Sequence, residues 1–245
     1  MRVLAITIEI VLQILFPLLL AIFFAKKYGA PWRAFFTGLL FFIVSQLVET
    51  PFRMLVGIGA RSIGLYGSIL LLSLIAALGE ELSRYVAFRF IPVFKQGLNW
   101  GRATMYGIGH GGLESILAGV SLLSLTLIFY FASPKILAQI PRQLIVGFKG
   151  VPAYLFILGG FERVMTLIIQ MGLSLMVALA FIRNDLRYLF LAILIHFVID
   201  GSSISLFNFT KSPLITEGLV LVFALVMLWW IVWFKQNIKK ELRDA

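Results

Sequence analysis

Cysteine is absent from the 245-residue sequence, and histidine occurs only at positions 110 and 196. Without cysteine the chain forms no disulfide and has neither a thiol nucleophile nor a cysteine-based zinc site. Charged residues make up only 13% of the chain, where soluble domains have about 25%. Hydrophobic residues reach 61%. This composition is that of a polytopic membrane protein and excludes a soluble enzyme.

Apolar runs of about 20 residues, the length needed to span a bilayer, occur at seven places. They cover about 3–25, 34–57, 62–90, 103–132, 160–182, 188–207 and 214–234. Between the fourth and fifth runs, the segment 133–152 contains three prolines and three basic residues. We interpret it as a loop with room for an interfacial helix. The sequence predicts an all-α transmembrane bundle of about seven spans, forming one domain over residues 1–245.

The formal net charge is +10, a value that in a soluble protein would suggest nucleic-acid binding. Here the basic residues lie in short loops and in the C-terminal tail, where the positive-inside bias and anionic lipids explain them without nucleic acid. The tail contributes Lys235, Lys239, Lys240 and Arg243. Counting charges on both sides predicts an external N-terminus and a cytoplasmic C-terminus. We expect a bacterial plasma membrane.

Ionisable side chains inside three different predicted spans lie at matched depths. At a rise of about 1.5 Å per residue, Glu80 lies about 13 Å from the boundary marked by Arg89. By the same rise, His110 and His196 lie about 12 Å and about 13 Å from the arginines that flank their own spans. Charged groups in a membrane span are costly and are by default functional candidates. Matched depth therefore predicts a shared site.

Helical spacing adds neighbours to these three residues. Arg84 lies three positions after Glu81 and four after Glu80, so it can pair with either carboxylate. Pairs at i,i+4 also join Tyr106 to His110, His110 to Glu114, and His196 to Asp200.

Glycine surrounds His110. Gly107 and Gly111 have the GxxxG spacing that brings membrane helices into close contact. The same glycines would also leave backbone space for a substrate strand. Both interpretations stay open at the level of sequence.

Three ordered motifs resemble those of glutamic-type intramembrane proteases: Glu80-Glu81-x-x-Arg84, Tyr106-x-x-x-His110 and His196-x-x-x-Asp200. That group takes in the CAAX-processing Abi-type (CPBP) enzymes and the PrsW proteases, and the chain is most similar to its YhfC branch. The resemblance implies that Glu80 activates water with help from His110, and that Glu81 and Arg84 hold the site together. It assigns oxyanion stabilisation to His196 and the last motif residue.

The motifs also depart from the pattern of this group. The CAAX-processing enzymes have one more residue before the arginine, and their last motif usually ends in Asn where this chain has Asp200. An ionised Asp200 would repel an oxyanion, so it must be protonated, bind a metal or orient His196. Gln170 stands where the YhfC branch is expected to have a further histidine.

The predicted function is an intramembrane endopeptidase that cleaves a membrane protein or a lipidated or hydrophobic peptide at the bilayer. In its first form no cofactor is required, and Glu80 is the general base in a polar cavity open to the cytoplasmic side. A second form uses zinc bound by Glu80, His110 and His196, with Glu114 or Asp200 as a further ligand. The His-Glu-x-x-His run of classical zinc peptidases is absent. A proton-coupled transporter or binding protein is the alternative from another class, since buried Glu, His and Asp also relay protons.

Overall fold

The structure is a computed structural model that describes the backbone of residues 1–244 and the side chains of residues 1–237. All regular structure in this part of the chain is helical. The helices are α1 (Arg2–Tyr28), α2 (Trp32–Phe90), α3 (Pro92–Lys95), α4 (Trp100–Phe131), α5 (Pro134–Leu137), α6 (Arg142–Gly150), α7 (Ala153–Ile182), α8 (Arg187–Thr210) and α9 (Pro213–Asp244). Six of them are long and apolar enough to cross a membrane.

Helix α2 is a hairpin of two spans. Its 59 residues are interrupted at Gly64, whose φ of 71° and ψ of 176° are not helical, a conformation that only glycine adopts without strain. Glu49 and Gly79, each fifteen residues from Gly64, lie in contact. The arms at 32–63 and 65–90 therefore run antiparallel, and α2 supplies the second and third predicted spans.

Seven crossings place the chain termini at opposite ends of the bundle. At the N-terminal end, Arg2 donates a hydrogen bond to the carbonyl of Phe148 in α6. At the C-terminal end, the Lys235 ammonium lies 4.2 Å from the ring centre of Tyr28. Segment 133–152 holds the short helices α5 and α6 at the N-terminal end and adds no crossing. The orientation of the bundle stays a prediction, and the side chains of Lys239, Lys240 and Arg243 lie outside the described residues.

Helix α7 is the central element of the bundle. Within its most apolar window 78% of the residues are buried, against 22–33% for the other candidate spans. It packs against α1, α4, α8 and α9. A helix enclosed in this way is expected to be apolar on nearly every face. It begins at Ala153, seven residues before the predicted span at 160.

Candidate active site

Glu80, His110 and His196 meet in the interior, although they belong to three different helices. Nε2 of His110 lies 3.0 Å from Oε2 of Glu80, and Nε2 of His196 lies 3.9 Å from the same oxygen. All three residues are buried. The structure thus brings together the groups whose matched depths predict a shared site, and one carboxylate oxygen faces both imidazoles.

Glu81 and Arg84 form a fully buried ion pair behind this centre. Their side chains have no exposed surface, and Oε2 of Glu81 lies 3.3 Å from a terminal nitrogen of Arg84. Oε1 of Glu81 lies 2.8 Å from Nδ1 of His196. Since an ionised carboxylate only accepts hydrogen bonds, Nδ1 of His196 is the protonated nitrogen. In the neutral imidazole its Nε2 is then the unprotonated nitrogen, and this nitrogen faces Glu80.

Gln170 of α7 joins Glu80 to Arg84. Its amide nitrogen donates to Oε2 of Glu80 at 3.0 Å, and its amide oxygen accepts from Arg84 at 2.6 Å. Glu80 Oε2 therefore receives donors from both His110 and Gln170. The glutamine at the position expected to be histidine is a full member of the site, in a role that helical spacing within single spans could not reveal.

His110 is held by ring contacts. Tyr106, one turn before it, stacks on it at a centroid distance of 5.9 Å, and Phe42 meets it edge-on at 5.2 Å. Nε2 of His110 donates to Glu80, so Nδ1 carries a lone pair; this nitrogen is buried without a hydrogen-bond partner. The imidazole therefore has one direction in which to act, toward Glu80.

The glycines around His110 serve helix packing. A Cβ placed on Gly107 would lie 2.7 Å from Cα of Met171, and one on Gly111 would lie 2.9 Å from Cβ of Gln170. Helix α7 fills the space that a substrate strand would need. The packing interpretation of the GxxxG spacing therefore holds, and the strand-approach interpretation is wrong for these glycines.

A cavity of about 270 Å³ adjoins Glu80 and His196. Asp200 lines it, with Oδ2 at 3.6 Å from Nε2 of His196. Glu114 also lines it, but it is paired with Arg163 of α7 at 2.9 Å rather than with His110. His196 is consequently oriented by Glu81, while Asp200 and Glu114 are carboxylates of the cavity wall.

The lining of this cavity runs toward one end of the bundle. It extends from Gln170 back to Glu162 on α7 and from His196 forward to Ile204 on α8. Both runs lead toward the N-terminal end of the bundle, which the charge count assigns to the external side. The expected cytoplasmic opening and the charge count therefore do not hold together, and each stays a prediction.

Glu49 is a further carboxylate beside the site. It forms an i,i+4 ion pair with Arg53, at 2.6 Å, and it is only 1% exposed. Its side chain packs directly on Gly79, the residue before Glu80. Oε1 of Glu49 is buried without a hydrogen-bond partner. Spacing alone indicates a boundary ion pair, whereas the hairpin at Gly64 places this pair against the centre.

The donor set of the centre fits zinc in kind. Two imidazoles, one carboxylate and a water form a common catalytic zinc set. A ligand histidine commonly donates its other ring nitrogen to a carboxylate, as His196 does to Glu81. Among the residues that the structure describes, no three His, Asp or Glu side chains stand in coordinating geometry. Nε2 of His110 and Oε2 of Glu80 are joined by a hydrogen bond, and metal binding by these two residues would replace that bond.

The sequence is similar to one known family and to one of its curated members. The sequence model of a family described as YhfC intramembrane metalloprotease matches residues 12–224. The uncharacterized membrane protein YhfC of Bacillus subtilis (strain 168) is 30% identical over 246 aligned residues, which cover 89% of this chain and 90% of that protein. No solved structure matches the chain significantly.

Proposed function

This chain belongs to the YhfC intramembrane metalloprotease family and is an intramembrane protease; we propose that Glu80, His110 and His196 form its catalytic centre. The substrates are membrane proteins or hydrophobic or lipidated peptides, whose bonds are hydrolysed beside this centre. One observation carries the proposal: a single oxygen of Glu80 faces two imidazoles at the wall of a polar cavity inside an apolar bundle.

In the form that needs no cofactor, Glu80 accepts the proton of a water molecule in the cavity as that water attacks the peptide carbonyl. His110 and Gln170 fix the carboxylate by donating to its Oε2. His196 lines the same cavity. Its Nε2 takes up the proton from Glu80, donates to the oxyanion of the tetrahedral intermediate, and then gives that proton to the amine nitrogen as the peptide C–N bond breaks. Glu81, which accepts from Nδ1, stabilises the resulting imidazolium.

In the second form, Glu80, His110 and His196 would hold a zinc ion. Zinc bound there would polarise the peptide carbonyl and acidify its bound water. Glu81 keeps the same task in this form, since it fixes Nε2 of His196 as the ligating atom. Glu80 is then a ligand, and Asp200 is the cavity carboxylate left to exchange protons. The bond between His196 and Glu81 and the family description favour this second candidate.

The experiment compares membranes of a bacterial host that expresses either the wild type or Glu80→Gln. Mass spectrometry maps the peptide termini in each membrane fraction. We expect new termini within or beside membrane segments with the wild type and none of them with Glu80→Gln. Glu9→Gln is the matched control, because Glu9 is another buried span carboxylate, bonded to Gln13 on its own helix.

The control should reproduce the wild-type termini, and all three proteins should accumulate equally in the membrane. An identical set of termini from wild type and Glu80→Gln would refute the proposed function. Loss of these termini in Glu9→Gln as well would show that the effect is not specific to the centre.

A further inference from the structure

The cavity beside Glu80 leads toward one end of the bundle only. On α7 its lining runs back from Gln170 to Glu162, and on α8 it runs forward from His196 to Ile204, eight helical steps in each case. Each run covers about 12 Å at the helical rise. Because α7 begins and α8 ends at the N-terminal end of the bundle, both walls lead there.

The opposite direction is filled by packed side chains. Arg84 and Tyr106 are completely buried, and Phe88 and Phe94 are 3% and 2% exposed. The Phe88 ring lies 4.9 Å from that of Tyr106 and 4.7 Å from that of Phe94. These residues close the path from Glu80 to the C-terminal end, where the tail of α9 lies.

The entrance of the cavity is polar. Arg163 binds Glu114 at 2.9 Å and Glu162 at 2.5 Å, and all three side chains keep between 21% and 31% of their surface exposed. Asp200 is exposed to 35%. Partly exposed charges are not stable against hydrocarbon, so in a membrane span they line water-filled spaces. The cavity is therefore an aqueous one.

We propose, on the basis of the proposed function, that water and the peptide bond reach Glu80 through this cavity from the N-terminal end of the bundle. The substrate segment then enters from that end and is cleaved near the middle of the bilayer, since Glu80 lies about 13 Å from the boundary marked by Arg89. With the orientation given by the charge count the entry side is external, so the substrate class is membrane segments that reach the centre from the external side.

The natural lack of cysteine allows a direct test by labelling single cysteines in sealed membrane vesicles. Thr166→Cys and Ser203→Cys place the thiol in the cavity wall, and Thr104→Cys places it in the buried region toward the C-terminal end. Lys149→Cys and Gln236→Cys mark the exposed surfaces at the two ends. A membrane-impermeant sulfonated maleimide is added to one side of the vesicles at a time.

We expect the cysteines at 166 and 203 to react from the side that labels position 149, at rates within tenfold of each other, and position 104 to stay unreacted. Reaction from the side of position 236 would overturn the proposal. Labelling of positions 166 and 203 by a membrane-permeant maleimide but not by the impermeant one would also overturn the proposal, because the cavity would then hold lipid. The two end markers make the result independent of the absolute orientation.

Mapped cleavage positions test the substrate side of the proposal. Termini that depend on Glu80 should lie near the middle of each substrate segment, and termini confined to the membrane boundary on the side of position 236 would contradict the route. Absence of any such termini would refute the proposed function instead, while the labelling would still decide where the cavity opens.

Discussion

Nδ1 of His196 lies 2.8 Å from Oε1 of Glu81, and no part of the Glu81 side chain is exposed. The adjacent glutamates therefore have separate tasks. Glu80 faces the cavity and both imidazoles, whereas Glu81 lies behind them and connects His196 to Arg84. One helical step between neighbouring residues is enough to turn one carboxylate to the cavity and the other to the buried ion pair.

Glu81→Gln should lower the rate of peptide cleavage and leave substrate binding nearly unchanged. An amide can still accept from Nδ1, but it no longer favours the imidazolium or fixes the ring as strongly. Mutation of a carboxylate that accepts from the other ring nitrogen of a metal-ligating histidine typically lowers activity or metal affinity about 10–100-fold. We expect a loss of that size in kcat at constant KM, measured on a purified peptide substrate from the terminus mapping. A changed KM with wild-type kcat would contradict the positioning role.

Arg84→Met should destabilise the fold, because it leaves the Glu81 carboxylate buried without its cation. Breaking a buried ion pair from one side costs about 3–5 kcal/mol. Removing both charges, as in Arg84→Met with Glu81→Leu, should restore most of that stability. The double variant should stay inactive, because His196 has lost its acceptor. Thermal unfolding in detergent and the cleavage assay measure the two effects; a double variant as unstable as the single one would contradict the assignment.

Helical rise and spacing were enough to predict which spans converge, since both are fixed by backbone geometry. Depth along three helices predicts the meeting of Glu80 with the two imidazoles, and i,i+3 spacing predicts the pair of Glu81 with Arg84. Partners on other helices were beyond this reasoning. Glu114 pairs with Arg163 because of how α4 packs on α7, and Gln170 bonds Glu80 because of how α2 packs on α7. Local spacing encodes neither packing. The opening of the cavity depends on the same packing.

Gln170→Met should reduce both stability and activity. It keeps a similar side-chain volume but removes the amide nitrogen that donates to Glu80 and the amide oxygen that accepts from Arg84. A buried group left without its partner costs about 1–3 kcal/mol. We expect the free energy of unfolding to fall by about that amount. We also expect kcat to fall by a larger factor than that by which KM changes. Ile169→Leu, a volume-conserving change at the neighbouring position, is the control and should leave stability within about 1.5 kcal/mol. Wild-type kcat in Gln170→Met would remove Gln170 from the centre.

Gly79→Ala should destabilise the hairpin of α2. The new Cβ would lie 2.8 Å from Cδ of Glu49, and overpacking of this kind costs about 1–3 kcal/mol. Gly57→Ala is the matched control on the other arm, because its Cβ would meet nothing within 4 Å. Shortening the opposing side chain in Gly79→Ala with Glu49→Ser should recover the lost stability, as measured by unfolding in detergent. Equal stability of the two glycine variants would show that Glu49 does not pack as described.

Chelation separates the two forms of the centre. If Glu80 is the general base, its hydrogen bonds to His110 and Gln170 already hold it in place. We then expect purified protein to keep its cleavage rate after dialysis against a strong chelator. Elemental analysis of wild type, His196→Ala and Glu9→Gln provides the second readout. The zinc form would replace the general-base form if three results were found together. Wild type and Glu9→Gln would contain about one zinc per chain, His196→Ala would lack it, and the wild-type activity would be lost on chelation. In that case Glu80→Gln should lose metal as well as activity, because the carboxylate that faces both imidazoles would be a ligand.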